Sequence, residues 1–475
     1  MAAARNLEEE TIVALATPVG NAALAVVRVS GPLAAVLAAE GPLGARRLSP
    51  RRVEHRDYHA LDGRLVDDVV AVHFPAPRSY TGEDVLEIST HGNPFLVQRV
   101  IDDLCARGCR PARPGEFTQR AFLSGRMDLS QAEAVMDVIR ARSDRSLELA
   151  QRQLRGEMGR RLAPLEEGLL QALAEVEAYI DFPEEDLPAE DRRRVVGRLE
   201  AVQTGVRELL ATRRVGEWVR EGIRTVIVGR PNAGKSSLLN RLVGYERALV
   251  SPEPGTTRDF LEEWVRVGPH VLRLVDTAGL NPLAKNELEE RGIALGERRA
   301  ADADLVVWVV DLSDPSPPLP PAAAASWDPA RTLIVGNKCD LVVPENAALV
   351  LQRAAAALAA ARGVGDWPTA MVSAVSGAGL DSLHTRIEQL ADGWQRAAGA
   401  EGVAVSARHE QSLVKAEQLV GQALARVDAS GSATPAMELL ASDVRGALES
   451  LGEILGKYDP ERMLDHLFAT FCIGK

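Results

Sequence analysis

Short apolar runs recur along residues 222–393, each closed by a polar or glycine-rich turn: Thr225-Val226-Ile227-Val228, Val271-Leu272-Arg273-Leu274-Val275, Leu305-Val306-Val307-Trp308-Val309-Val310, Leu333-Ile334-Val335 and Ala370-Met371-Val372. Runs this short read as buried strands, and helical stretches alternate with them. Residues 11–126 also read as mixed α/β. Strands are predicted over Thr11–Leu15, Ala25–Val29, Val69–Phe74 and Val85–Ile88, and a helix over 94–107. From Asp128 to about Tyr179 the apolar spacing changes to three and four, as in Leu165, Leu169, Leu173 and Val176, which predicts helix. Asp181-Phe182-Pro183-Glu184-Glu185 breaks it. Further helices are predicted over about 191–220, 404–427 and 436–454. The expected fold class is α/β plus α. Residues 1–126 form an N-terminal domain, 127–221 with 394–475 form a discontinuous helical domain, and 222–393 form a nucleotide domain inserted in it.

The turns that close the strands carry the chemistry. Gly229-Arg230-Pro231-Asn232-Ala233-Gly234-Lys235-Ser236 has the form G-x-x-x-x-G-K-[ST] between a strand and a helix. Its glycines let backbone N–H groups of Asn232, Ala233 and Gly234 curl around phosphates, and the helix N-terminus with Ser237 adds positive potential. Lys235 is placed to reach the β- and γ-phosphates, and the Ser236 hydroxyl to ligate Mg²⁺. Asp276-Thr277-Ala278-Gly279 supplies a carboxylate for Mg²⁺ through water and a Gly279 N–H for the γ-phosphate. Asn337-Lys338-Cys339-Asp340 places a carboxylate that accepts from guanine N1 and N2, a donor pair adenine lacks. Ser373-Ala374 offers a backbone N–H to guanine O6. Each short motif is weak alone; four in this order at strand ends specify GTP.

One part of the switch-GTPase pattern is missing. Where a glutamine orients water in many such proteins, this chain has Leu280. Either hydrolysis is slow or another charge assists, since an arginine finger is typically worth about 10³–10⁵ in rate. Asn232 and the segment Ser251–Asp259 can offer oxygens to a monovalent cation beside the phosphates, with Thr257 as second Mg²⁺ ligand. Glu287, Glu289 and Glu290 are all available to position water.

Composition narrows the class. The net charge of −12 over 475 residues excludes a generally basic nucleic-acid binder. The first 126 residues are neutral, with 15 Arg against 15 Asp and Glu, so a nucleic-acid partner needs local patches such as Arg46-Arg47 or Arg192-Arg193-Arg194. Four scattered cysteines make no disulfide scaffold. No apolar run approaches the roughly 18 residues of a membrane span, and the polar first ten residues are no signal peptide, so a cytoplasmic protein is expected.

Outside the GTPase motifs the chain carries Thr11-Ile12-Val13-Ala14, Ser79-Tyr80-Thr81-Gly82-Glu83-Asp84, Arg113-Pro114-Gly115-Glu116-Phe117-Thr118 and Gln131-Ala132-Glu133-Ala134. It ends in Cys472-Ile473-Gly474-Lys475. With these the whole length resembles the MnmE/TrmE family of bacterial and organellar tRNA modification GTPases. The resemblance implies a folate-binding dimerisation domain, a helical domain and an inserted Ras-like G domain. It implies hydrolysis activated by K⁺-dependent pairing of G domains in a homodimer. It also implies joint work with an FAD-carrying partner, MnmG (GidA), on C5 of the wobble uridine of certain tRNAs. There a methylene unit from 5-formyl- or methylene-tetrahydrofolate and an amino group make an aminomethyl-type adduct. Carried over by motif, Asn232, Ser251, Glu253 (through its carbonyl) and Thr256 surround K⁺, and Ser236 and Thr257 bind Mg²⁺. The catalytic glutamate is Glu289, before Gly292-Ile293, and folate contacts fall on Arg28, Glu87, Arg126 and Lys475.

The chain departs from the pattern in three places. Gly20–Ala25 replaces a more glycine- and arginine-rich loop, and Arg126 stands where lysine is common. The segment from Gly279 to Glu289 is one residue longer, so Glu290 competes with Glu289. Cys472 is either a small buried residue or a thiolate that assists the chemistry, and Lys475 as last residue argues against prenylation. The competing function is a GTP-timed switch in ribosome assembly.

Overall fold

A computed structural model describes residues 10–181, 189–246, 262–275, 302–314, 316, 320, 324, 327–363, 365–397, 403, 405–429, 437–457, 467–469, 471–472 and 474. The chain divides into two compact units. One comprises residues 1–136, 154–160 and 448–475, the other residues 137–153 and 161–447.

The first unit is built on a six-stranded sheet of order β3-β4-β5-β2-β1-β6. Its strands are β1 (Ile12–Leu15), β2 (Ala22–Ser30), β3 (Glu54–His59), β4 (Leu65–Phe74), β5 (Val85–Gly92) and β6 (Arg110–Pro111). All pairings are antiparallel except β1 with β6. Alternation sends Val27, Val29, Leu86, Ile88, Val69 and Tyr58 into a core shared with Val97, Val100 and Leu104 of helix α2 (Pro94–Ala106). That helix starts at Asn93, whose side chain accepts from the Phe95 and Leu96 amides, with proline at the first helical position. The other register puts Arg28, Glu87, Ser89, His91 and Asp68 on the opposite, more exposed face. The strands expected from apolar runs are present. Strand β3, Glu-His-Arg-Asp-Tyr-His, has no apolar run to announce it, because it is an edge strand that buries only Tyr58. Helices α1 (Pro32–Ala39) and α3 (Glu116–Leu123) likewise lie outside the expected elements.

The second unit contains a six-stranded sheet of order β12-β11-β10-β7-β9-β8. Strands β7 (Ile223–Gly229), β9 (His270–Val275), β10 (Leu305–Asp311), β11 (Thr332–Asn337) and β12 (Thr369–Met371) run parallel, and β8 (Glu262–Val267) pairs antiparallel with β9 at the edge. The central strands carry continuous apolar runs, Val226–Val228 in β7 and Leu305–Val310 in β10, because both faces are covered there. Leu238, Leu242, Leu383 and Ile387 pack on one side, and Leu351, Leu358, Trp327 and Trp367 on the other. The helix expected over 191–220 is two: α7 (Ala189–Ala211) and α8 (Arg213–Glu221). They part at Thr212, whose hydroxyl donates to the Leu209 carbonyl. Helix α7, before the sheet in the chain, packs against α12 (Ala407–Ala429), after it, and Arg207 meets Glu417 at 2.9 Å. The nucleotide-type sheet is therefore inserted in a helical layer whose two halves meet.

Candidate functional site

Strand β7 delivers Gly229, and helix α9 (Lys235–Glu246) begins at once after the turn. Two residues of that turn need unusual backbone: Asn232 lies at φ 64° and Gly234 at φ 90°. Gly234 is fixed twice, since a Cβ there would lie 2.1 Å from the Asn337 amide nitrogen. The Lys235 ammonium lies over the loop and donates to the Gly229 and Arg230 carbonyls, both at 2.9 Å. Ser236 and Ser237 are exposed at the helix N-terminus, where the positive end of the helix dipole favours a phosphate. A loop whose glycine has no room for a side chain, beside a lysine and an exposed serine pair, fits a nucleoside polyphosphate with Mg²⁺.

The base end is assembled by Asn337, at the close of β11. It is buried, its amide donates to the Ala233 carbonyl at 2.9 Å, and its oxygen accepts from the Ala374 N–H at 3.0 Å. One side chain thus ties the phosphate loop to the Ser373-Ala374 turn. Of the Ser373-Ala374 pair expected to offer an N–H to guanine O6, the Ala374 N–H donates here to Asn337. The Ser373 amide donates to the Ala378 carbonyl, and the Ser373 hydroxyl accepts from the Ser376 amide. Lys338 adopts a left-handed conformation at φ 65° and reaches Asp311 at 2.5 Å. Burial pushes the Asp311 carboxyl up, but the Lys338 ammonium and the Ser313 donors outweigh it and hold it below the ordinary aspartate value. Asp340 stands exposed in the short helical turn Cys339–Leu341. The structure therefore brings together Asn232, Ala233, Gly234, Lys235, Asn337, Lys338, Asp340, Ser373 and Ala374. Sequence reasoning missed Asp311; the one polar residue closing the run Leu305–Val310 was the available signal. Ser251, Glu253, Thr256, Thr257, Asp276, Thr277, Ala278, Gly279, Glu289 and Glu290 lie outside the described residues.

In the first unit, Arg28 on β2 is paired with Glu87 on β5, as the register of the two strands requires. Arg28 Nε donates to Glu87 Oε1 at 2.9 Å, and Nη2 lies 2.8 Å from the same oxygen. Its guanidinium also sits 5.3 Å from the Tyr80 ring centre and 5.7 Å from that of Phe117. Nη1 donates to the Gly474 carbonyl at 3.4 Å. The tail is held there by backbone contacts. The Gly115 amide donates to the Cys472 carbonyl, and a Cβ on Gly474 (φ 96°) would lie 2.2 Å from the Leu15 carbonyl oxygen. Cys472 is exposed. Arg126 lines an open groove with Phe122, Met127, Asp128, Leu455 and Lys457. Lys475 lies outside the described residues. A carboxylate, a guanidinium and two aromatic rings thus stand together beside Gly474.

Comparison with known proteins gives the lineage. Residues 11–126 match the model for the GTP-binding protein TrmE N-terminus, and residues 129–472 match that for the MnmE helical domain. A tRNA modification GTPase MnmE from Opitutus terrae is 54% identical over 468 residues, 98% of this chain and 99% of the relative. The protein of that name from Akkermansia muciniphila is 41% identical over 473 residues, 98% of this chain and 99% of the relative. One from Aquifex aeolicus is 37% identical over 466 residues, 98% and 100% of the two chains. This chain belongs to the MnmE family. The MnmE helical model spans the nucleotide sheet as well as the helices before and after it, in keeping with the packing of α7 on α12. In this MnmE-family chain no helix among the described residues is long and apolar enough to cross a membrane.

Proposed function

We propose that this chain is the GTP-hydrolysing subunit of a complex that modifies C5 of the wobble uridine in certain tRNAs, using a one-carbon unit carried by a folate. It is a GTPase, and membership of the MnmE family places its role in tRNA modification. The finer reading is that Lys235, Ser236 and the loop amides bind the phosphates, and Asp340 and Asn337 select guanine. Thr257 and Asp276 complete the Mg²⁺ shell. Asn232, Ser251, Glu253 and Thr256 hold K⁺, and Glu289 orients water. The domains are 1–126, 127–221 with 394–475, and 222–393. The protein works as a cytoplasmic homodimer with an MnmG-type flavoprotein and tRNA.

The observation that carries the modification reading is the Arg28–Glu87 pair, with Tyr80, Phe117 and the Gly474 carbonyl around the guanidinium. A switch that only times assembly has no use for a half-buried charged pair set against two aromatic rings and the Gly474 carbonyl. A bound folate would supply the one-carbon unit. Arg28 and Glu87 would orient its polar edge, Tyr80 and Phe117 would exclude water from it, and Cys472 would act as a nearby thiol.

Two experiments check this. Nucleoside analysis of tRNA from cells lacking the gene is expected to show loss of the C5-substituted wobble uridine. An unchanged nucleoside profile together with accumulated ribosome precursors would instead establish the assembly switch. For the G domain, hydrolysis is expected to run about tenfold or more faster in KCl than in NaCl at matched ionic strength, because a cation replaces the missing arginine finger. Equal rates in the two salts would remove the cation account.

A further inference from the structure

Where β3 and β4 pair with a register shift at Tyr58/His59, the first unit's sheet carries a side-chain cluster that the proposed function does not use. Asp67 and Asp68 lie on β4, His91 on β5 and His55 on the edge strand β3. One ligand atom from each of Asp67, Asp68 and His91 lies within 4.8 Å of the other two. His91 Nδ1 is 2.8 Å from Asp67 Oδ1 and 4.0 Å from Asp68 Oδ1. The Asp67 carboxylate is only 9% exposed, and its second oxygen accepts from the His91 backbone amide at 2.9 Å. That clamp fixes both the carboxylate and the base of the imidazole. Asp68 is steadied in turn by His55, whose Nε2 lies 3.3 Å from Asp68 Oδ2.

We propose that Asp67, Asp68 and His91 bind a divalent transition-metal ion of the Zn²⁺ class. With bonds of about 2.0–2.2 Å, the donors of a tetrahedral zinc site stand about 3.3 Å apart, and the present separations bracket that value. Closing the wider one needs only a rotamer adjustment of Asp68, which is half exposed. One neutral imidazole and two carboxylates carry two negative charges, which a divalent ion cancels. The imidazole favours zinc-like metals over Mg²⁺ or Ca²⁺. Water completes the shell, and His55 orients Asp68 as an outer partner orients a metal ligand. The site is distinct from the Arg28–Glu87 pair: His91 is four residues along β5 from Glu87, about 13 Å at the usual strand rise.

Cobalt is the probe. The untagged full-length protein, in millimolar Mg²⁺ to occupy oxygen-rich sites, is titrated with Co²⁺ and read by visible absorption. The expected result is d–d bands of a four- or five-coordinate ion saturating at one per chain, without a thiolate charge-transfer band. Zn²⁺ should displace it. His91→Gln and Asp68→Asn should each weaken binding by about tenfold or more. Both positions are exposed, and unchanged melting of the variants confirms their folding. Bands that persist in both variants, a spectrum of hydrated Co²⁺ only, or a thiolate band showing capture by cysteine would each overturn the proposal.

Discussion

Replacing Asp340 by asparagine is expected to lower GTP affinity by about 10²–10⁴, because two hydrogen bonds to a charged group are worth roughly 1.5–3 kcal/mol each. The effect is a mismatch rather than a simple loss. The carboxylate accepts from guanine N1–H and N2–H₂, and an asparagine amide turns a donor toward a donor. Xanthine presents an oxygen where guanine presents its amino group, so xanthosine triphosphate should gain what GTP loses. Asp340 is exposed in its turn, so stability should hardly change. Competition of GTP and xanthosine triphosphate for a fluorescent nucleotide is the measurement. If GTP affinity survives in the variant, Asp340 does not read the base.

The second large effect is on stability and concerns Glu116. This carboxylate is fully buried at the start of helix α3. It accepts from Arg110 at 2.6 and 2.8 Å, from Arg120 at 3.1 Å and from the Arg113 amide at 2.8 Å. Arg120, also buried, reaches Glu83 at 3.0 Å and the Glu10 carbonyl at 2.8 Å. Burial pushes the Glu116 carboxyl up, but the hydrogen bonds from Arg110 and Arg113 and the charge of Arg120 outweigh it and bring it to about 2. Glu116→Gln removes one of the two carboxylates that compensate the buried Arg120 and leaves it to Glu83 alone, which is expected to cost about 3 kcal/mol, the low end for breaking a buried pair.

The pH dependence follows from the sign of that shift. A carboxylate held below its unfolded value contributes its full stabilisation above the ordinary glutamate range and loses it as pH falls toward about 2. Urea denaturation should show a wide gap between native protein and variant at pH 7 and a clearly narrower one near pH 3. A gap that is the same at both pH values would show that the charge of Glu116 does not stabilise the fold.

Much of the nucleotide site was legible because its grammar is local. A phosphate loop needs glycine at fixed places, an apolar strand before it and a helix after it, and all three lie within Thr225–Asn240. The strand ends that carry Asn337, Asp340 and Ser373 were visible for the same reason. The networks were not visible. Glu116, Arg110, Arg120 and Glu83 are spread over some forty positions with no periodic pattern, and nothing local distinguishes a buried arginine from a solvated one. Strand β3 was hidden because an edge strand with one buried residue has no alternation to detect.

By itself the sequence determined the class of chemistry: motif order and spacing name the nucleotide, and the segments on either side name the family. Tertiary structure alone decided which side chains serve each other. Asn337 closes the loop around Gly234 only because β11 and β7 flank the same strand, β10. Arg28 meets Glu87 and Gly474 only because strand register and a tail 446 residues away bring them together. Periodicity and turn chemistry act over a few residues and are written along the chain. Pairing across a sheet is set by the free energy of the whole packed unit, which no short stretch of sequence contains.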